Sequence, residues 1–73
     1  MAQLILHNDD KNSYQKVKAS LIRWCDHETI QAEQCSLIAH NTGQCIIKNG
    51  DFMELLDIKN KFELVNIDVE IIQ

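Results

Sequence analysis

Two spacings of apolar residues, pairwise alternation and steps of three or four, succeed one another along this chain and divide it into elements. Leu4, Ile5 and Leu6 are consecutive and apolar, and the run stops at Asn8-Asp9-Asp10. Residues 3–7 are therefore predicted as a short strand and residues 8–12 as the turn behind it. Ser13 suits an N-cap, because its hydroxyl accepts from an orphan amide of a first helical turn. From there Tyr14, Val17, Leu21 and Trp24 recur at helical steps. They predict a helix with Gln15, Lys16, Lys18 and Arg23 on its outer side.

Cys25-Asp26-His27-Glu28 breaks the pattern, and Asp26 or Glu28 is placed to start a second helix. One side of it carries Ile30, Gln34, Leu37 and Ile38, with Cys35 and Ala39 as small neighbours, and is expected to face inward. Ser36, Ala39, His40 and Gly43 share a different stripe. Asn41-Thr42-Gly43 ends the helix, with Gly43 suited to the left-handed cap. Residues 44–48 read as a second strand and Asn49-Gly50 as a turn. Asp51 is placed to cap a third, short helix with Phe52, Leu55, Leu56 and Lys59 on one face. Last, Val65, Ile67, Val69 and Ile71 alternate with Asn66, Asp68 and Glu70, which predicts a strand with one buried and one solvated face.

This order predicts an α+β fold of two layers: a three-stranded antiparallel sheet with three helices on one face, β-α-α-β-α-β. The half-polar last strand is what argues for antiparallel pairing. With 73 residues and no repeat, linker or low-complexity segment, residues 1–73 are expected to form a single domain.

Composition narrows the classes of function. A hydrophobic content of 45% sets the chain apart from disordered ones. A net charge of −4 leaves no basic stripe for a phosphate backbone and no polybasic patch for a lipid surface. Neither nucleic acid nor membrane is expected as a partner. Met1-Ala2-Gln3 carries no basic region and no long apolar run, so no signal peptide or membrane span is expected, and the expected location is cytoplasmic. Cys25, Cys35 and Cys45, odd in number and widely spaced, make no disulfide framework.

Catalytic chemistry finds little support. His40 follows Cys35 by five positions, which on a helix points about 140° away, so a thiolate–imidazole pair is not indicated. His7, Asp9, Asp10, His27, His40 and the cysteines include metal-ligand types, but no pair has a short ligating spacing. Asp9 and Asp10 are adjacent, tend to point apart, and have no nucleophile to serve. No enzyme activity, metal or cofactor is expected.

Recognition is the remaining class. Asn8, Asp9 and a neutral His40 are all hydrogen-bond acceptors. Brought together, they would line an acidic hollow suited to a cationic head with an apolar tail. A turn with a helix histidine bonded to it is the simpler reading of the same residues.

Asn8-Asp9-Asp10 behind a short apolar strand, then a helix, then Ala32…His40-x-x-Gly43 on a second helix resembles the ClpS family. These are adaptors that carry N-degron substrates to the Clp protease. The resemblance runs over residues 4–47 without a gap and returns at residues 65–71. It implies that Asn8, Asp9 and His40 accept hydrogen bonds from the α-ammonium group of a protein N-terminus. The bulky apolar first residue would then enter a pocket of Asn12, Tyr14, Val17, Ser36 and Ala39, closed near Val65, with Asp10 fixing the loop. The implied partners are N-degron peptides or proteins and the N-terminal domain of a Clp-family unfoldase.

Three departures accompany the resemblance. Family members usually carry bulky apolar residues, often methionine, where this chain has Tyr14 and Ser36. Ser36 widens the pocket and adds a hydroxyl. The third helix, on the side that docks on the unfoldase, is shorter than usual. Only Met1-Ala2-Gln3 stand before the apolar run Leu4-Ile5-Leu6, so the flexible N-terminal extension that the family uses in delivery is expected to be missing. The alternative function is an interaction module of the same fold without affinity for N-degrons.

Overall fold

A computed structural model of the chain describes residues 1–7 and 12–73. Strand β1 (Ala2–His7) is followed by helices α1 (Tyr14–Trp24) and α2 (Thr29–Thr42), strand β2 (Gln44–Gly50), helix α3 (Phe52–Leu64) and strand β3 (Val69–Ile72). The described strands form one antiparallel sheet in the order β2-β1-β3, so the apolar first strand is central. The α+β architecture and its element order are those the apolar pattern predicts.

Alternation along the central strand sends Ala2, Leu4 and Leu6 into the core, where they meet Leu21, Ala32, Ala39, Leu55, Ile58 and Phe62 from the helices. Ile5 is buried on the opposite face, level with Ile46 and Glu70 on the neighbouring strands. An edge-to-face contact between Trp24 and Phe62, with centroids 5.2 Å apart, locks the end of α1 onto α3.

Local signals fix several boundaries. Ser13 caps α1 by accepting from the Lys16 amide at 3.1 Å. Glu28, not Asp26, caps α2, and forms a capping box with Gln31. Asp26 instead takes a left-handed conformation, φ 56°, which lets the chain turn from α1 into α2. Gly43 closes α2 at φ 98°, its amide bonded to the Ala39 carbonyl.

Tertiary packing overrides the pattern elsewhere. The inward face of α2 is Ala32, Ser36 and Ala39, opposite to the side expected; Ile30 is 68% exposed and Leu37 54%. Small residues let α2 approach α1 and β2 closely, while bulky Leu21 and Trp24 fill the space between. Helix α3 buries Leu55, Ile58 and Phe62, so its inner face is turned away from Phe52 and Lys59. The helix is not short; it continues through Phe62 because that ring anchors the core. Asn49-Gly50 belongs to β2.

The last strand also begins later than the alternation suggests. Val65 caps α3, and Asn66 is left-handed at φ 63°. The Asn66 amide bonds to the Glu63 carbonyl at 3.1 Å and the Ile67 amide to the Phe62 carbonyl at 3.0 Å. This is the crossed pair of bonds of a Schellman cap, and buried Ile67 and Phe62 supply its apolar contact. Only after that cap is the chain extended enough to pair with β1.

Candidate functional site

The residues expected to bind a ligand fall into three groups. Asn8 and Asp9, with Asp10, lie outside the described residues. Asn12, Val17, Ser36, Ala39 and Val65 are buried or half-buried. Tyr14 and His40 are exposed, Tyr14 at 45%.

Asn12 ties two distant parts of the chain together. Its Nδ2 donates to the Asn66 carbonyl at 2.8 Å, and its Oδ1 accepts from Lys16 Nζ at 2.6 Å. The start of α1 is thereby fastened to the α3–β3 connection, beside the expected closing residue Val65. Asn66 was not among the expected site residues. Its left-handed conformation turns its carbonyl out of the helix, and asparagine is one of the few residues that adopt it cheaply.

The short connection between α1 and α2 makes them neighbours in the fold. Lys18 of α1 donates to Glu33 of α2 at 2.8 Å. That bond raises the Lys18 pKa, with the nearby Tyr14 phenol adding to it and desolvation opposing. Tyr14 therefore stands close to Lys18, one turn along its own helix, with nearly half of its surface in solvent.

On the inward face of α2, Ala39 belongs to the core, and Val17 and Val65 pack against that core. Ser36 is 6% exposed, and its Oγ has no hydrogen-bond partner among the described residues. His40 lies one turn beyond Ser36, in the last turn of α2, and points into solvent. An apolar interior lined by small residues thus stands next to an exposed acceptor on the same helix.

A separate open hollow of about 580 Å³ lies at the end of the sheet, lined by His7, Gly43, Lys59, Asp68, Val69 and Glu70. Its walls are polar, and His7 bonds to Glu70 across it at 2.9 Å. None of Asn12, Tyr14, Val17, Ser36, Ala39 and Val65 is among its described lining residues.

The cysteines are free, and two of them resist ionisation. Burial pushes the Cys25 thiol up to about 12. Burial, followed by a hydrogen bond with Cys35, pushes Cys45 up to about 12 as well. A nucleophilic thiol needs the opposite shift. Among the described residues no group of three or more His, Cys, Asp or Glu side chains is placed to hold a metal ion. No described helix is long and apolar enough to cross a membrane.

A family model described as ATP-dependent Clp protease adaptor protein ClpS matches residues 1–66 of the chain. The matched segment takes in every element from β1 to the end of α3, the Asn12–Asn66 tie included. No curated protein matches the chain.

Proposed function

The chain belongs to the ClpS family of ATP-dependent Clp protease adaptor proteins, and from that premise we propose that it is a non-enzymatic adaptor for N-degrons. It binds the free N-terminus of a protein whose first residue is bulky and apolar, and presents that protein to a Clp-type AAA+ protease through the N-terminal domain of the unfoldase.

The observation that carries this reading is the Asn12–Asn66 hydrogen bond of 2.8 Å. It fastens the start of α1 beside Val65, and so supports a pocket built from both ends of the chain. Val17, Ala39 and Val65 give that pocket apolar walls. Asn8, Asp9 and His40 are assigned to the α-ammonium group. An ammonium has three donors and no acceptor, so it selects a site by the acceptors converging on it. An acetylated N-terminus offers neither the charge nor that donor set. The half-exposed Tyr14 supports an open pocket, since a ring plugging it would be buried.

Fluorescence anisotropy with labelled peptides tests the proposal. Peptides beginning with Leu, Phe, Tyr or Trp are expected to bind with micromolar-class affinity, about −8 kcal/mol. Acetylating the peptide N-terminus is expected to abolish binding. Equal binding of free and acetylated peptides would leave the chain as an interaction module of the ClpS fold without N-degron affinity.

A further inference from the structure

We propose that Ser36 sets a preference for tyrosine over phenylalanine as the first residue of the bound protein. The inference rests on the N-degron reading above and concerns the inner end of the same pocket.

Three observations point to it. Ser36 is 6% exposed, and its Oγ is fully buried without a hydrogen-bond partner among the described residues. Two other helical hydroxyls in this chain are satisfied by their own helix. Ser20 Oγ donates to the Lys16 carbonyl at 2.9 Å, and Thr42 Oγ1 to the Ile38 carbonyl at 2.8 Å. Ser36 makes no such bond to the carbonyl one turn back, so its hydroxyl keeps both a donor and an acceptor for another group. Third, its neighbours on the inward face of α2 are alanines, Ala32 and Ala39. Neither offers a polar atom beyond the backbone.

A buried hydroxyl without a partner calls for one, and in this reading the bound residue supplies it. A phenylalanine ring entering the pocket leaves it as it was. A tyrosine ring brings a phenolic oxygen that both donates and accepts, and the two hydroxyls satisfy each other. Phenylalanine incurs no new penalty at Ser36, because the hydroxyl is already alone. The discrimination is therefore that of one neutral hydrogen bond, roughly three- to tenfold in affinity. It is not the far larger factor of a site in which the wrong ligand strands a polar group.

The test is a set of anisotropy titrations with peptides identical except for a first residue of Tyr or Phe, against the wild-type chain and Ser36→Ala. A Tyr peptide acetylated at its N-terminus is the control. The expected result is tighter binding of Tyr than Phe by about three- to tenfold in the wild type. In Ser36→Ala that ratio falls to near one, and a cooperative urea-unfolding transition shows that the variant is folded. Equal affinity for the two peptides in the wild type overturns the inference and leaves the N-degron reading standing. So does a ratio that Ser36→Ala does not change. Failure of both free peptides to bind, or binding of the acetylated control, overturns the reading beneath it.

Discussion

His27 donates from Nε2 to the carbonyl of Ile47 at 2.7 Å, across the gap between the α1–α2 connection and β2. Ile47 is the residue left over in the β1–β2 register, which passes from Leu4 opposite Lys48 to Ile5 opposite Ile46. An extra residue in a ladder loses its pairing. The imidazole supplies the donor that the neighbouring strand does not.

His27→Ala is therefore expected to be among the most damaging single changes outside the apolar core. It removes a buried ring, a hydrogen bond and the partner of a buried carbonyl. Together these lower the unfolding free energy by about 2–4 kcal/mol. His27→Gln, which can offer an amide N–H to the same oxygen, is expected to restore part of the loss. Urea unfolding of the three proteins measures this. A His27→Ala midpoint equal to the wild-type value would show that the bond contributes nothing.

Asn66 separates two accounts of the segment before β3. Were residues 65–71 one strand, a β-branched residue at 66 would favour it. In the structure Asn66 is left-handed, in the cap of α3. Asn66→Val is accordingly expected to destabilise by about 1–2 kcal/mol, the cost of forcing a side chain branched at Cβ into that conformation. Asn66→Gly is expected to be neutral or slightly stabilising. A stabilising Asn66→Val in thermal denaturation would contradict the cap.

What was legible in the sequence is what local chemistry decides. Ser13, Gly43 and the Val17, Leu21 and Trp24 positions of the α1 stripe act within one or two turns and stand as their spacing predicts, whereas Tyr14, first in that stripe, is 45% exposed. The inward face of α2 was not legible, because it is made of Ala32, Ser36 and Ala39. A helix that packs through small residues inverts the rule that bulk marks the core, and its large residues stand in solvent. The start of β3 was hidden by an accident of spacing. Ile67 continues the alternation of Val69 and Ile71, yet it is buried as the last contact of the α3 cap. His27 carried no signal, since its role depends on an irregularity in strands more than ten residues away. Of the proposed site, the positions assigned to the pocket on α1 and α2 come from the motif. Asn66, which the pocket reading needs for its Asn12 contact, could not be named from it.

The two raised thiols give the stability a defined pH dependence. Burial raises Cys25 from 9.0 to about 12 in the folded protein. Between those values the native state holds a proton that the unfolded chain has released. The Cys25 contribution to the unfolding free energy is then flat below pH 9 and falls as pH rises toward about 12. Cys45 contributes in the same direction. Melting temperatures recorded between about pH 7.5 and about pH 10.5 are expected to drop at the alkaline end, and less steeply for Cys25→Ala. Parallel curves for the two proteins would remove Cys25 from the account.

The proposed site separates most sharply through His40 and Asn12, which differ in what else they hold. No described residue hydrogen-bonds to His40, and its ring is in solvent. His40→Ala is therefore expected to leave stability within about 0.5 kcal/mol of the wild type. If the ring accepts from the ligand's ammonium group, the same change weakens peptide binding by about 1.5–3 kcal/mol, the range for a hydrogen bond to a charged group. Asn12→Ala acts on both quantities. It removes the amide that fastens the start of α1 to the α3–β3 connection, so stability falls by about 1 kcal/mol. Binding falls with it, because the walls on Val17 and Val65 lose their common anchor. Paired urea unfolding and anisotropy titrations on the two variants give four numbers. The pattern expected is loss of binding alone for His40→Ala and loss of both for Asn12→Ala. Undiminished binding by His40→Ala would remove the imidazole from the ammonium site and leave that role to Asn8 and Asp9.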